Sequence, residues 1–235
     1  MFETISLDEN PIRTALKGEL STGTARPHHY PLPRDSKLKR LMDVAISSML
    51  LIFLLPLMLL LAVCLVASGL KPIFVHRRIS STSMSFPCLK FRTMRNNADE
   101  ILKRHLADHP QAMEEWRRTG KLRNDPRVGP LGKFMRRTSL DELPQLLNVF
   151  LGQMSMVGPR PITKPELKEY GACIHFYYRC RPGLTGHWQV NGRSNLGYEE
   201  RVILDVAYAT QWSIKNDLLI ILKTFRVLLS CVGAY

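Results

Sequence analysis

The sequence predicts a mainly helical α+β protein that is monotopic: one proline-kinked, re-entrant helix holds a cytoplasmic domain on a membrane. An apolar run without charge covers residues 44–70. Two short runs rich in β-branched and aromatic residues follow, at 72–80 and 85–94, and are typical of strands. Residues 97–120 and the end of the chain show helical periodicity. The predicted divisions are a disordered tail at 1–35, a membrane helix at 36–75 and a cytoplasmic domain at 76–235.

Charge and cysteine usage narrow the function classes. The 235-residue chain has a formal net charge of +13, which favours phosphate-bearing partners such as nucleotides, nucleic acid or an anionic membrane face. Its five cysteines are odd in number and include no C-x-x-C pair. We therefore expect free thiols in a reducing compartment and no cysteine-bound metal.

The apolar run is long enough to cross a bilayer, but its flanks favour a re-entrant path. As a straight helix it would measure about 40 Å, against about 30 Å of hydrocarbon. Pro56 lies near its middle and predicts a bend. Basic residues stand on both sides: Lys37, Lys39 and Arg40 before the run, and Lys71, Arg77 and Arg78 after it. Positive charge marks the cytoplasmic side, so a bent helix that leaves by the face it entered is favoured over a simple span. A buried core helix is the remaining alternative.

The rest of the chain alternates helices with turns. A hairpin connects the two strand-like runs through the polar segment SSTSM. A helix over 97–120 is expected to break at Pro110, and residues 131–137 form a basic helix. The segment RPGLTGHWQVNGR, residues 181–193, is predicted to contain a strand between turns. A helix over 197–211 follows.

Ser213 is predicted to cap the last helix, which is amphipathic. One face collects apolar residues: Leu218, Ile221, Leu222, Phe225 and Leu228. This face fits the protein core and the membrane interface equally well. Asp205 and Asp217, on the last two helices, are expected to be exposed.

The adjacent carboxylates Asp141 and Glu142 open the helix of TSLDELPQLLNVF and allow two interpretations. In the structural one, Ser139 and Glu142 form a capping box and both acids favour the positive end of the helix dipole. In the functional one, the pair works among nearby arginines, including Arg136 before it and Arg160 in the rigid turn Gly-Pro-Arg-Pro after it. Carboxylates hold Mg²⁺ beside substrate phosphates, and a carboxylate can also attack phosphorus.

Several motifs taken together resemble the bacterial sugar transferase family, the monotopic polyprenyl-phosphate phosphoglycosyl transferases. The resemblance runs from Lys37 to the C-terminus, about 85% of the chain. The motifs are KRLMD, KFRTM, DPRV, RRTSLDELPQLLNV, MSMVGPRP and RPGLTGHWQVNGR, with a late W-S…D-L…IL…T pattern. The chain is most similar to the exopolysaccharide branch that starts repeat units with galactose 1-phosphate.

The resemblance implies an activity and a place for it. A sugar 1-phosphate passes from a UDP-sugar to undecaprenyl phosphate at the cytoplasmic face of the bacterial inner membrane, and UMP is released. The implied partners are those two substrates and inner-membrane lipids, without nucleic acid. The oligomeric state is left open, a homo-oligomer included.

The resemblance also implies roles for individual residues. Asp141 is the nucleophile that forms a phosphosugar-aspartyl intermediate, and Glu142 supports it, with Mg²⁺ held by both. Arg136 steadies the pair and Arg160 binds phosphate. Lys90 and Arg92 of KFRTM belong to a shared motif and are expected to bind substrate phosphate. Pro56 marks the membrane-helix break.

Other features weigh less. The run His175–Arg179 is rich in aromatic residues and is better explained as core than as a nucleobase platform. Arg193 is equally consistent with a phosphate contact and a solvated turn. Two functions from other classes stay open: a membrane-anchored protein that binds nucleic acid through its basic charge, and a non-catalytic assembly protein with the same fold.

Overall fold

The computed structural model describes residues 33–81, 84–120, 122–192 and 196–230. The expected tail, apart from its last three residues, and Arg193 lie outside the described residues. The helices are α1 Lys37–Ala67, α2 Ala98–Asp108, α3 Pro110–Thr119, α4 Pro130–Thr138, α5 Gln145–Phe150, α6 Leu167–Tyr170, α7 Ile174–Tyr178, α8 His187–Asn191, α9 Tyr198–Thr210 and α10 Ile214–Ser230. The strands are β1 Ile73–Ile79, β2 Ser85–Phe91, β3 Ser155–Val157 and β4 Gly183–Thr185. The mainly helical α+β class is confirmed.

Helix α1 contains all but the last three residues of the apolar run and is 31 residues long. Its first turn is capped by Ser36, whose hydroxyl accepts a hydrogen bond from the Lys39 amide at 3.2 Å. The helical assignment continues through Pro56. It is long and apolar enough to cross a membrane, and only 11% of its most apolar window is buried. A core helix of a soluble domain would be mostly buried, so that alternative is disfavoured.

Both ends of α1 pack against the same domain. Near its start, Ile46 and Leu50 pack against the main core. Near its end, Leu61 and Leu65 are buried in a second cluster with Phe91 and Met135. The residues between them include the exposed Ile52 and Phe53. Leu54, Leu57 and Met58 also contact these clusters, so one side of the helix packs along the domain and a large apolar surface is left uncovered.

The predicted hairpin and several helix boundaries are confirmed. β1 and β2 pair antiparallel, with Ile73 opposite Phe91 and Ile79 opposite Ser85. The helix after Asn97 stops at Asp108 and restarts at Pro110, where proline takes the first helical position. Ser213 caps α10 by accepting a hydrogen bond from the Asn216 amide at 3.2 Å.

A second sheet contains two very short parallel strands, β3 and β4. The strand expected in 181–193 is only three residues long, and α8 follows it. The strands approach closely because their glycines lack a side chain: a Cβ on Gly183 would lie 2.2 Å from the Gly158 nitrogen. Since Arg160 comes two residues after Gly158, this contact fixes where its loop begins.

The main core gathers residues from β1, β2, α5, β3, α7 and α9. Phe176 and Tyr177 are buried in it, so the core interpretation of the aromatic run is confirmed for these two residues. The Tyr177 hydroxyl donates to the Ile79 carbonyl at 2.7 Å and accepts from the Ile162 amide at 3.3 Å. It thereby connects the end of β1 to the loop that follows Arg160.

The expectation that Asp205 and Asp217 are exposed is wrong. Asp205 accepts a hydrogen bond from the Tyr170 hydroxyl at 2.7 Å and is 2% exposed. Asp217 is fully buried, and its ionic partner is Lys39, with Nζ and Oδ2 2.6 Å apart. Both acids belong to helices with an exposed side. The sequence does not reveal the distant partners that offset the free-energy cost of burying these carboxyl groups.

Candidate active site

The segment between α4 and α5 holds the carboxylate pair, and it is not the capping box expected from the sequence. Ser139 ends α4 in a left-handed conformation, with φ of 58°, and its side chain makes no capping hydrogen bond. Residues Leu140–Glu142 form one 3-10 turn, and α5 begins only at Gln145, after Pro144. Glu142 is directed to Lys90 instead of to the helix backbone. The structural interpretation of the pair is therefore wrong in its detail.

Two cations hold Glu142 in its charged form. Lys90 on β2 lies 2.5 Å from its Oε1, and an Arg160 guanidinium nitrogen lies 3.8 Å from the same oxygen. Burial by itself raises the pKa of this carboxyl. The charges of Lys90 and Arg160 outweigh burial, together with hydrogen bonds from Lys90 and Gln145, and lower the pKa to about 2. Glu142 is thus a permanent anion at neutral pH.

Asp141 is in the opposite electrostatic situation. Burial, followed by the negative charge of Glu142, raises the pKa of its carboxyl to about 6, and Lys90 and Arg136 offset only part of this. Within the described residues Asp141 forms no ion pair. At pH 7 the group is mainly a carboxylate, yet it is more basic than an ordinary aspartate. Adjacent acids with such different pKa values are typical of a division of chemical roles.

Arg136 approaches the pair from α4. Its Nε donates to the Thr93 hydroxyl at 2.9 Å, just after β2. Helix α4 can lie this close because Gly132 faces the Thr93 carbonyl, where a Cβ would be only 2.3 Å from the oxygen. Burial lowers the pKa of Arg136 and the Asp141 charge opposes that shift, which places the two groups within electrostatic reach.

A small polar cleft adjoins Glu142 and is open to solvent. Its cationic lining comes from three elements: Arg78 of β1, Lys90 of β2 and Arg160 of the loop after β3. The remaining lining residues are Cys88, Glu142, Gln145, Pro161, Gly183, Leu184 and Gln189. The cleft is far smaller than a pocket for a whole nucleotide sugar, and its cations suit the phosphate part of a substrate.

The structure gathers most of the predicted site residues. Asp141, Glu142, Lys90 and Arg160 form one cluster, with Arg136 at its edge. Arg92 lies outside it: its guanidinium stacks on the Phe74 ring with a centroid distance of 5.4 Å, and it does not line the cleft. Pro56 lies in the membrane helix and does not line the cleft.

Sequence reasoning missed Arg78, Gln145 and Gln189. In the sequence, Arg78 is one of the basic residues that flank the membrane run. The register of the hairpin nevertheless indicates that it faces the cleft. In the hairpin, Arg78 pairs with Phe86 and His76 pairs with Cys88, so Arg78, Cys88 and Lys90 share one face. No comparable local pattern distinguishes Gln145 or Gln189.

The carboxylate pair fits a magnesium ion only together with substrate. Among the described residues, no group of three His, Cys, Asp or Glu side chains is placed to hold a metal. Mg²⁺ is commonly held by one or two carboxylates while substrate phosphates and water complete its coordination. Asp141 and Glu142 supply that number of carboxylates beside the cationic cleft.

Comparison with known proteins gives a consistent family. Residues 34–231 match the model of the bacterial sugar transferase family. The chain is 46% identical over 198 residues to the undecaprenyl-phosphate galactose phosphotransferase of Salmonella typhimurium, covering 84% of this chain and 42% of that protein. It is 44% identical over 198 residues to the UDP-galactose-lipid carrier transferase of Erwinia amylovora, with the same coverage.

A third relative matches nearly end to end. The exopolysaccharide production protein ExoY of Rhizobium meliloti is 46% identical over 204 residues, covering 86% of this chain and 90% of that protein. The chain thus spans about two fifths of the length of the Salmonella and Erwinia relatives and most of the Rhizobium one. The family match includes the carboxylate pair and every cation of the cleft, and the protein belongs to the bacterial sugar transferase family.

Proposed function

We propose that the protein transfers a sugar 1-phosphate from a UDP-sugar to undecaprenyl phosphate, releases UMP and starts exopolysaccharide repeat units. The observation that carries this proposal is the unequal carboxylate pair beside a small cleft lined by three cations. One carboxylate, Glu142, is neutralised by cations, while its neighbour Asp141 is basic and forms no ion pair within the described residues. Such a pair suits covalent catalysis on phosphorus.

In the first step, an Asp141 carboxylate oxygen attacks the phosphorus that carries the sugar. A bond forms between that oxygen and phosphorus, and the bond from phosphorus to the bridging oxygen of the diphosphate breaks. UMP leaves with the bridging oxygen and its electron pair. The phosphosugar is left on Asp141 as an acyl phosphate.

In the second step, a phosphate oxygen of undecaprenyl phosphate attacks the same phosphorus. The bond between phosphorus and the Asp141 oxygen breaks, which restores the carboxylate and gives undecaprenyl diphosphate-sugar. Both steps bring anions together, and unit charges 4 Å apart repel by about 4 kcal/mol at an effective dielectric constant of 20. Lys90, Arg136 and Arg160 offset this repulsion.

Glu142 acts by orienting its surroundings rather than by bonding to substrate. Its contacts hold Lys90 and Arg160 on one side of the nucleophile, and its charge keeps Asp141 basic. Asp141 and Glu142 would hold Mg²⁺ with the substrate diphosphate, and the ion would neutralise phosphate charge when bound.

Helix α1 is proposed to enter and leave on the cytoplasmic face of the inner membrane. The packing of the helix against one domain from Ile46 to Leu65 supports this path, because a simple span would surround that length with about 30 Å of hydrocarbon. A bend at Pro56 would let the exposed side of the helix enter the bilayer. The catalytic domain would then remain on the cytoplasmic side.

Two shorter helices are proposed to lie in the membrane interface. On α10, Leu218, Leu222 and Phe225 are exposed, so this face is not used by the described core. On α5, Leu147 and Phe150 are exposed as well. Since α5 follows the carboxylate pair directly, an interfacial position would bring Asp141 near the lipid phosphate.

Labelling from the two sides of the membrane tests the topology. Leu38 lies in the first turn of α1 and Val75 lies beyond its last residue, and they are 61% and 51% exposed. In a cysteine-free background, Leu38→Cys and Val75→Cys should both react with an impermeant maleimide from the cytoplasmic side alone. Labelling from opposite sides would establish a span.

Galactose is the proposed sugar. Two of the three relatives described above carry galactose in their names, and the third is named for exopolysaccharide production. UMP release measured over a panel of UDP-sugars tests this choice, with UDP-galactose expected to give the highest kcat/KM.

The activity itself is tested with a UDP-sugar, undecaprenyl phosphate and Mg²⁺. Wild type should release UMP and form the lipid-linked sugar, and Asp141→Asn should lower the rate about a thousandfold or more. Full activity of Asp141→Asn would exclude Asp141 as the nucleophile. A wild-type protein without turnover on any UDP-sugar would favour a non-catalytic assembly role. Nucleic-acid binding that is unchanged in Asp141→Asn would favour a membrane-anchored nucleic-acid-binding protein.

A further inference from the structure

The cleft beside Glu142 has a wall that the two chemical steps do not use. Arg78 of β1 lines it together with Arg160. Each of these arginines lies within electrostatic reach of the other, because Arg160, after burial, lowers the pKa of Arg78. Two arginines that approach each other in one cleft form a ready site for an anion with more than one charge.

The nucleophile and Arg78 occupy different parts of the site. Arg78, Lys90, Glu142 and Arg160 all line the cleft, whereas Asp141 is not among its lining residues. Glu142 contacts Lys90 and Arg160. Arg78 therefore belongs to the cleft wall, and Asp141 lies outside that wall.

Charge on this side of the site is unbalanced. The lining contains three cations and one carboxylate, Glu142, and Glu166 pairs with Arg78 from outside the lining, which leaves a surplus of one positive charge. Arg160 is 40% exposed, and its contact with Glu142 is long at 3.8 Å, whereas Lys90 contacts that carboxylate closely. A phosphate group, which is an anion at neutral pH, complements this surplus.

Arg78 is held in place by one nitrogen only. Its Nη1 donates to the Pro161 carbonyl at 3.1 Å and to Glu166 Oε2 at 3.3 Å. The same Glu166 oxygen accepts from the amide and the hydroxyl of Thr163 at 2.7 and 2.6 Å. Within the described residues these contacts do not involve Nη2, so the guanidinium is positioned while donors remain for a ligand.

We infer that Arg78 is a further substrate-binding residue, which together with Arg160 binds the phosphate of the departing nucleoside monophosphate. In a displacement at phosphorus, the nucleophile and the leaving oxygen lie on opposite sides. Since Asp141 does not line the cleft, a phosphate that leaves away from it would enter the cleft that Arg78 and Arg160 line. The inference rests on the proposed function, since it assigns one part of that substrate to one part of that site.

Equilibrium binding of UMP to the full-length protein tests the assignment without any turnover. Arg78→Met should weaken UMP binding about 10- to 100-fold, the factor that corresponds to a lost charge-assisted hydrogen bond. Arg78→Lys keeps the charge but loses the planar fork, and should fall between Arg78→Met and wild type. Arg77→Met is the matched control, because Arg77 is the exposed neighbour on the other face of β1. This variant should bind UMP as tightly as wild type does.

Thermal unfolding of each variant shows whether a loss of UMP binding is local or follows from unfolding. Glu166→Gln should weaken UMP binding by a smaller factor, because Glu166 only positions Arg78.

Three outcomes would contradict one or both proposals. Wild-type UMP affinity in Arg78→Met, beside a loss in Arg160→Met, would overturn the role of Arg78 and leave the proposed function intact. A wild-type protein that turns over a UDP-sugar but shows neither UMP binding nor inhibition by UMP would also overturn the role of Arg78. Wild type with neither turnover nor UMP binding would overturn both proposals.

Discussion

Lys39 and Asp217, 178 residues apart in the sequence, form an ion pair that is closed off from solvent. Their side chains are 1% and 0% exposed, and Nζ lies 2.6 Å from Oδ2. Lys39 also donates to the Val157 carbonyl at 3.0 Å, and Trp212 donates its ring N–H to Asp217 at 3.0 Å. The pair therefore joins the first turn of the membrane helix to α10 and to the strand that precedes Arg160.

Removing one partner should be costly. Lys39→Met leaves the Asp217 charge buried without its cation, and we expect a loss of about 3–5 kcal/mol in the free energy of unfolding. The measurement is chemical or thermal denaturation in lipid nanodiscs. Lys37→Met is the control, because Lys37 is exposed in the same first turn and should change stability by less than about 0.5 kcal/mol.

A double-mutant cycle isolates the pair itself. Asp217→Asn removes the charge but keeps an oxygen that can accept from Trp212. The double variant should be more stable than the sum of the two single changes predicts, by about 1–3 kcal/mol. Additive effects would mean that Lys39 and Asp217 are buried side by side without coupling.

The first chemical step should depend on pH through Asp141. Because burial and Glu142 raise the pKa of this carboxyl to about 6, the attacking carboxylate is lost as pH falls below that value. At Mg²⁺ concentrations too low to occupy the carboxylate pair, the single-turnover rate of UMP release should be level above pH 7, fall to half near pH 6 and drop about tenfold per unit below pH 5, and saturating Mg²⁺ should move this limb to lower pH.

The position of this acidic limb has its own control. Glu142→Gln removes the second cause of the raised pKa, so the limb should move to lower pH even where the maximal rate is reduced. An acidic limb that stays near pH 6 in this variant would assign the titration to another group.

The two carboxylates should affect stability with opposite signs. Asp141 has a folded-state pKa of about 6, above its ordinary 3.8, so its charge opposes folding. This penalty is absent below about pH 4, grows as pH rises through 6 and is complete above it. Asp141→Asn should therefore unfold at a higher temperature than wild type at pH 7.5, with the difference shrinking toward pH 4.

Glu142 should behave in the reverse way. Its folded-state pKa of about 2 lies below the ordinary 4.5, so its charge favours folding at every pH above about 4.5. This contribution is lost as pH falls from 4.5 toward 2. Glu142→Gln should therefore lower the unfolding temperature at pH 7.5. A common sign for both substitutions would contradict the unequal pair.

The exposed face of α10 should lie in lipid. Leu222 is 65% exposed on that face, and Asn216 is exposed away from it. With nitroxide labels on Leu222→Cys and Asn216→Cys in a cysteine-free background, the first should be more accessible to oxygen and the second to a water-soluble nickel reagent. Equal exposure of both labels to the nickel reagent would place α10 in water.

Local signals in the sequence were sufficient for much of the fold. The break at Pro110 and the cap at Ser213 depend on neighbours within a few residues, and the hairpin is a local motif. The carboxylate pair and the cations Lys90, Arg136 and Arg160 were identified through motifs, and the structure brings them together.

The features that sequence reasoning missed depend on distant contacts or on unusual backbone geometry. In the sequence, Lys39 is one of the basic residues that flank the apolar run, and Asp217 looks like an exposed residue of a helix. Only the packed structure shows that the two side chains form an ion pair. Ser139 fits a helix cap by type, but its left-handed conformation removes it from that role. Arg78 required the strand register before it could be placed in the cleft.

The covalent intermediate on Asp141 tests the central claim most directly. UDP-galactose labelled with ³²P in its β-phosphate is mixed with the protein in the absence of undecaprenyl phosphate, and the reaction is quenched in acid. We predict a protein-bound label that hydroxylamine releases, that undecaprenyl phosphate discharges, and that maps to Asp141 and is absent from Asp141→Asn. Wild type that transfers sugar phosphate without ever carrying the label, or an equal label on Asp141→Asn, would contradict the account.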